Sequence, residues 1–200
     1  MDKRLVLDIE TKGTFDEAGG RGHFENMQIS VVGVYDYSND EYRAYEEKEL
    51  GQLQNVLINS SLIIGFNHIG FDMPILQNYL SIDVTKLPLF DIMLDFQKKM
   101  GHRIGLDSIA QATLGVGKSG SGLDAIRYFR EGKIKELKEY CLNDVKVTRQ
   151  VFDYGIENGK IFFMSKMGNQ KKELAVDWKK YKKPKTDKEN PPEQAQYKLF

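Results

Sequence analysis

Asp8 and Glu10 stand two residues apart at the end of an otherwise apolar run, Leu5-Val6-Leu7-Asp8-Ile9-Glu10. On a β-strand that spacing puts both side chains on one face. Two carboxylates so close repel each other unless a cation lies between them. Hard oxygen donors of this kind suit Mg²⁺ or Mn²⁺. Alone, the pair reads equally well as strand-end acids facing water. A second acid closes the stretch Gly65-Phe66-Asn67-His68-Ile69-Gly70-Phe71-Asp72. Asp72 opens a predicted helix, where the plain reading is an N-cap. In a parallel sheet, however, strand C-termini gather functional groups along one edge, which brings Asp72 beside Asp8 and Glu10. The third group is Tyr140 and Asp144, four residues apart and so on one face of a helix. That face borders an apolar stripe, so the carboxylate looks inward and needs a partner, which a metal supplies. Alone, Asp144 is an ordinary acid near the core.

The elements that must position these groups follow from periodicity. Residues 5–10, 28–37 and 41–47 read as three strands in a meander, with a glycine-rich loop over 11–25. A helix over 50–59, a buried strand over 61–66 and a helix over 72–80 come next. A brief strand at 89–90 leads into helices over 92–100 and 106–114. Four glycines from 115 to 122 mark a loop, followed by helices over 123–130 and 133–154. The stripe of the last helix is Ile134, Leu137, Cys141, Val145, Thr148 and Phe152. Strands that alternate with helices after a meander predict an α/β fold with a mixed sheet. Residues 161–165 and 174–178 read as a hairpin around Met167-Gly168-Asn169-Gln170. From 179 onward, lysines and prolines leave little to bury, as in a disordered tail.

Composition excludes other classes. In a chain of 200 residues, 40% hydrophobic and 29% charged residues describe an ordinary globular protein. A single cysteine, Cys141, rules out an internal disulfide and fits a reducing compartment, so a cytoplasmic location is expected. No apolar run approaches the ~18 residues of a membrane helix. The net charge of zero hides an acidic body at −6 over 1–159 and a basic end at +6 over 160–200. An acidic body can still hold a polyanion when metal ions neutralise part of its charge.

Together the three clusters, Asp8-x-Glu10-Thr11, Asn67-x-x-x-Phe71-Asp72 and Tyr140-x-x-x-Asp144, resemble the DEDDy 3′–5′ exonucleases. The chain looks most like the proofreading exonuclease domain of family-B DNA polymerases and its stand-alone bacterial relatives. Phe90-Asp91-Ile92-Met93 and Leu106-Asp107-Ser108-Ile109-Ala110 are also similar to segments of that group, so the resemblance runs from about Arg4 to Tyr154. The DEDDh group would carry histidine at the place of Glu139, whereas Tyr140 fits the tyrosine form. The resemblance implies an RNase H-like three-layer fold with about five strands in a mixed sheet. It implies Asp8, Glu10, Asp72 and Asp144 as ligands of two divalent ions, Mg²⁺ or Mn²⁺, with Asp8 between them. Two such ions about 4 Å apart serve both ends of an in-line phosphodiester displacement. A tyrosine, with an ordinary pKa near 10, is a poor general base at neutral pH, so Tyr140 is assigned to orienting the attacking water. Thr11 and Asn67 would contact the 3′-terminal nucleotide, and Phe71 either packs on a base or fills the core, the core being favoured.

The remaining signals are weaker. Residues 112–119 satisfy a relaxed Walker A pattern, but a helix precedes the loop where a P-loop needs a strand. Lys118 in that loop is a candidate phosphate contact, beside the plain reading as a solvated charge. His23, His68 and His102 form no metal-spaced pair. The expected organisation is an exonuclease domain over 1–158, an appended hairpin over 159–178 and a basic tail over 179–200. The tail ends in Gln196-Tyr197-Lys198-Leu199-Phe200, similar to the bacterial sliding-clamp pentapeptide, in which the glutamine and the Leu-Phe pair make the contacts. The alternative is a terminal pair folded back on the hairpin. The resulting expectation is a nuclease acting on single-stranded DNA 3′ ends, tethered to the clamp through Gln196, Leu199 and Phe200. An exoribonuclease, an internally cutting nuclease and a non-catalytic nucleic-acid-binding module are the rivals.

Overall fold

A computed structural model describes residues 2–117, 120–165 and 170–182. Lys118, the turn residues 166–169 and the terminal Gln196, Leu199 and Phe200 lie outside the described residues. Five strands form one mixed sheet: β1 (Arg4–Thr11), β2 (Ile29–Asp36), β3 (Glu41–Glu46), β4 (Leu62–Gly65) and β5 (Leu89–Asp91), in the order β3-β2-β1-β4-β5. β1 pairs antiparallel with β2 and parallel with β4, and β4 pairs parallel with β5. The strand around Asp8 and Glu10 is therefore central, and its C-terminal end points the same way as those of β4 and β5.

Side-chain alternation on β1 decides what faces what. Leu5, Leu7 and Ile9 join a core with Leu50, Leu53 and Leu57 of α1 (Leu50–Ile58) and Ile75 and Leu76 of α2 (Asp72–Leu76). Val6 points to the other side, into a core with Ile109 of α4 (Leu106–Leu114) and Val145 and Phe152 of α6 (Ile134–Asn158). Phe96 of α3 (Ile92–Met100) joins that second layer, and α5 (Gly122–Arg130) places Ala125 in a smaller cluster with Tyr140 and Cys141 of α6. Asp8 and Glu10 share the parity of Val6, so they continue the face on which α6 lies. The result is helix, sheet and helix in three layers, as the sequence predicts.

Three boundaries differ from the sequence reading. α2 stops at Leu76, and beyond it the Tyr79 hydroxyl accepts the N–H of Ile29 at 3.0 Å. α6 runs on to Asn158 and ends at Gly159, whose φ of +67° is a left-handed cap closed by its N–H on the Gly155 carbonyl. The hairpin is present, but its second strand lies earlier: β6 (Lys160–Met164) pairs with β7 (Lys171–Ala175). Trp178 is buried beyond the strand, its indole lying on the backbone of α6 at Gly155. A Cβ there would stand 2.1 Å from the ring.

The hairpin is joined to the domain by polar as well as apolar contacts. Thr113 Oγ1 of α4 donates to Phe162 O and accepts from Phe162 N at 2.8 and 2.9 Å. Ser108 Oγ does the same for Met164 at 3.2 and 3.1 Å. Helix hydroxyls thus satisfy the free edge of β6, which would otherwise be an unpaired ladder. The described chain also continues past 178, with Lys179–Tyr181 forming a 3-10 turn and Tyr181 packing on Phe90 and Phe152.

Candidate active site

Asp8 and Glu10 lie together at the C-terminal end of β1. Across the β1/β2 pair Asp8 stands opposite Gly33. A Cβ on Gly33 would lie 2.9 Å from both Cys141 Sγ and Val145 Cγ2. The missing side chain is what lets α6 approach the sheet closely enough to reach the acids. Cys141 Sγ then sits 3.6 Å from Asp8 O and 4.0 Å from Asp8 Oδ2. The ligand atoms of Asp8, Glu10 and Cys141 lie within 4.8 Å of one another. Burial, and then the negative charges of Asp8, Glu10 and Asp144, push the Cys141 thiol up, so it stays neutral in the metal-free protein.

Asp72 approaches from the other side of β1. It is the first residue of α2, not its cap, and its Oδ1 accepts the N–H of Ile9 at 3.0 Å. With only 3% of its surface exposed, burial and then the charge of Asp91 raise its pKa to about 7, against the backbone bonds that lower it. Asp144 is 2% exposed and lines one cleft with Asp8. Tyr140 is buried one turn earlier on α6, and Gly120 lies beside it: a Cβ on Gly120 would stand 3.2 Å from the Tyr140 ring. Asp8 and Glu10 are the close pair of acids, Asp144 shares a cleft with Asp8, and Asp72 reaches the backbone between the pair; hard oxygen donors of this kind suit divalent cations. Asp8, Glu10, Asp72 and Asp144 are the residues that could hold them.

The cleft has a volume of about 350 Å³ and includes Phe66, Asn67, Arg103 and Asp107 besides Asp8 and Asp144. Asn67 is in the left-handed region, with φ of +63°. Its N–H donates to Asp91 Oδ1 at 2.9 Å, and Asp91 also accepts from the N–H groups of Ile69 and Leu94, each at 3.1 Å. The His68 imidazole lies with its Nδ1 3.5 Å from Asp91 Oδ2, and both residues are buried. Despite a burial penalty, His68 and these backbone donors hold the Asp91 carboxyl below the usual range. The His68 ring rests on Gly65, where a Cβ would stand 2.5 Å away. His68 and Asp91 therefore fix the loop that carries Asn67 and leads to Asp72.

The other expected contacts are arranged around the rim. The Thr11 hydroxyl donates to Gly13 O at 2.8 Å and so closes the turn after β1. Phe71 is half-buried in an edge-to-face cluster with Phe15 and Phe24, at 5.4 and 6.3 Å between centroids. His23 and His102 are both exposed. Helix α4, ending at Leu114, stands where a P-loop would need a strand. Sequence reasoning singled out neither Arg103 nor the pairing of His68 with Asp91, because each acts through a partner far along the chain.

Among the described residues no helix is long and apolar enough to cross a membrane. A search of curated proteins found no sequence match. Among solved structures, the family B DNA polymerase of the archaeon Pyrobaculum calidifontis superposes with a TM-score of 0.58 at 16% identity. That match covers 76% of this chain and 24% of the polymerase. Trypanosoma brucei RNase D matches with a TM-score of 0.56 and 16% identity, over 76% of this chain and 57% of its own. The chain thus spans well under two thirds of either protein. A family model described as RNase_H superfamily matches residues 5–156, from β1 through nearly all of α6. The match takes in the whole central sheet and each acid of the cleft, and the chain belongs to the RNase H superfamily.

Proposed function

We propose that this protein is a metal-dependent 3′–5′ exonuclease that hydrolyses phosphodiester bonds of single-stranded or frayed DNA. The observation that carries the reading is the placement of Asp8 and Asp144 in one cleft, with Glu10 beside Asp8 and Asp72 bonded to Ile9 between them. Asp8, Glu10, Asp72 and Asp144 would hold two divalent ions, Mg²⁺ or Mn²⁺. Such ions supply hydroxide at neutral pH and offset charge on the leaving oxygen. The chain's own groups do the rest. The Tyr140 hydroxyl orients the attacking water from the DEDDy position. The Ile9 N–H fixes the Asp72 carboxylate, while Thr11 and Asn67 meet the terminal nucleotide and Phe71 shapes the adjoining wall. Water adds to phosphorus, the bond to the bridging oxygen breaks, and that oxygen leaves with a proton from solvent.

A second reading, an exoribonuclease with the same site, is favoured by the structural similarity to an RNase D, which is as close as that to the polymerase. The basic end and the clamp-like pentapeptide Gln196–Phe200 favour DNA. The test is cleavage of end-labelled single-stranded DNA and RNA of one sequence, with circular strands as controls. Stepwise loss of nucleotides from the DNA 3′ end is expected. Faster RNA cleavage would install the second reading, cut circles would make the enzyme an endonuclease, and no cleavage in Mg²⁺ or Mn²⁺ would leave a binding module. For the tether, deletion of residues 196–200 should leave cleavage of short free oligonucleotides unaltered and abolish binding to a bacterial sliding clamp. The five-residue contact should be of order micromolar, and no binding of the tail peptide at ~100 μM clamp would remove the clamp from the reading.

A further inference from the structure

We propose that Arg103 holds a second phosphate of the substrate strand, the one next to the scissile linkage; this inference rests on the nuclease reading above. Arg103 lies in the short connection between α3 and α4, away from every motif that carries the acids. It is exposed and faces the cleft. Among the described residues lining that cleft it is the one cation, set against the carboxylates of Asp8, Asp107 and Asp144. An acidic wall that binds ions can neutralise the scissile phosphate, but it repels the phosphate beside it. A guanidinium lining the same cleft reverses that repulsion where the strand continues.

The guanidinium is aimed, and its partner does not neutralise it. Arg103 Nη2 donates to the side-chain oxygen of Asn67, an uncharged amide. One of five N–H donors is used in this way. Asn67 is itself held in a left-handed conformation by its N–H bond to the buried Asp91, with His68 packed behind. Asparagine tolerates that backbone conformation better than most residues. The order of support is thus a buried carboxylate, a strained asparagine and a directed guanidinium. A fork with both charge and direction is the arrangement that recognises a phosphate with two hydrogen bonds. A residue that served the fold alone would pair with a carboxylate or cover apolar surface.

The test crosses the protein change with a change in the strand. Wild type and Arg103→Ala are compared on a ten-nucleotide DNA strand and on the same strand with a neutral methylphosphonate at the linkage next to the scissile one. On the natural strand, Arg103→Ala should lower kcat/KM by about 10- to 100-fold, mostly through KM. Arg103→Lys should recover part of the loss, since it returns the charge without the fork. The methylphosphonate should cost wild type a similar factor and cost Arg103→Ala nothing further. Equal losses for both proteins on the neutral strand would overturn the proposal. Binding provides a readout independent of cleavage. In Ca²⁺, which takes the same oxygen ligands, Arg103→Ala should reduce the slope of log K against log salt by about 0.7, one phosphate contact to a single strand. An unchanged slope overturns the assignment of Arg103, whereas binding in Ca²⁺ with no cleavage by wild type in Mg²⁺ or Mn²⁺ overturns only the nuclease reading. Failure of wild type to bind the strand overturns both.

Discussion

Helix α6 serves two regions that differ in kind. Its first turns carry Tyr140, Cys141 and Asp144 to the cleft, where polar and ionisable groups are buried together. Its last turns carry Val151, Phe152, Gly155 and Ile156 against the hairpin, where Trp178 stacks on Phe152 at 5.8 Å with ring planes 26° apart. One end buries hydrocarbon and is stabilised by it. The other buries carboxylates and sacrifices stability for a place that cations can fill. Both ends depend on a glycine opposite a bulky partner, Gly33 under Cys141 and Val145, and Gly155 under Trp178. The same device therefore brings the helix to its ligands at one end and to its anchor at the other.

The sharpest way to break this comparison is to remove charge from the cleft. Asp8→Asn or Asp144→Asn should abolish nuclease activity while the fold persists, because each removes an oxygen ligand's charge from a group of mutually repelling acids. Metal-free melting temperatures at or above that of wild type would accompany the loss. Residual activity above about 10% would sink the two-ion site.

The opposite end should respond in the opposite way. Trp178→Ala leaves a cavity over Gly155 and strips the indole N–H that donates to Asp95 Oδ2 at 2.9 Å. A loss of about 3–5 kcal/mol is expected in denaturant unfolding. Specific activity of the folded fraction, measured at low temperature, should stay near that of wild type. If activity fell while stability did not, the division of α6 into two regions would be wrong.

A smaller change in the cleft separates chemistry from ligation. Tyr140→Phe should lower the single-turnover rate at saturating Mn²⁺ by about 10- to 1000-fold, as loss of a positioning hydrogen bond does. Calorimetric metal titration should be nearly unchanged. An unaltered rate would make Tyr140 a packing residue.

The smallest effect is one of pH. Asp72 is raised to about 7 in the folded protein, against an ordinary value near 3.9 once unfolded. Below about pH 4 both states hold the proton and the burial costs nothing. Between about pH 4 and 7 the unfolded chain releases it while the folded chain retains it, so this group lowers stability progressively as pH rises. With chelator present, Asp72→Asn should therefore gain on wild type in melting temperature across that window and keep its advantage above it. A difference independent of pH would show that the Asp72 carboxyl is not raised.

Much of this arrangement is local and hence legible in the sequence. A spacing of two on β1 and of four on α6 is a statement about one element, and it placed Asp8 with Glu10 and Tyr140 with Asp144 on shared faces. The sheet, five of the six helices and the hairpin follow from periodicity in the same way, with α2 alone cut short. Trp178 misled the reading of β7, since its alternation with Leu174 and Val176 suggested a strand. In the structure it is buried by docking on Gly155, a partner 23 positions away. Arg103 with Asn67, His68 with Asp91 and Gly33 under α6 share that property. Each is a contact between segments whose own sequence patterns say nothing of the other, and only the closed fold brings them together.

Trp178 has a mechanical consequence. The last described residues end at Lys182, after Tyr181 has packed on Phe90 and Phe152 and its carbonyl has accepted a bond from Arg4 Nη1 at 3.2 Å. A pull applied at Lys182 meets Tyr181 first, then the indole locked over Gly155 and tied to Asp95. Force would enter α6 at its C-terminal end and α3 through Asp95. A 25-residue helix is about 37 Å long. Load taken up at Gly155 would enter about four turns away from Tyr140 and three from Asp144, so the ligand geometry would feel it only through the intervening helix.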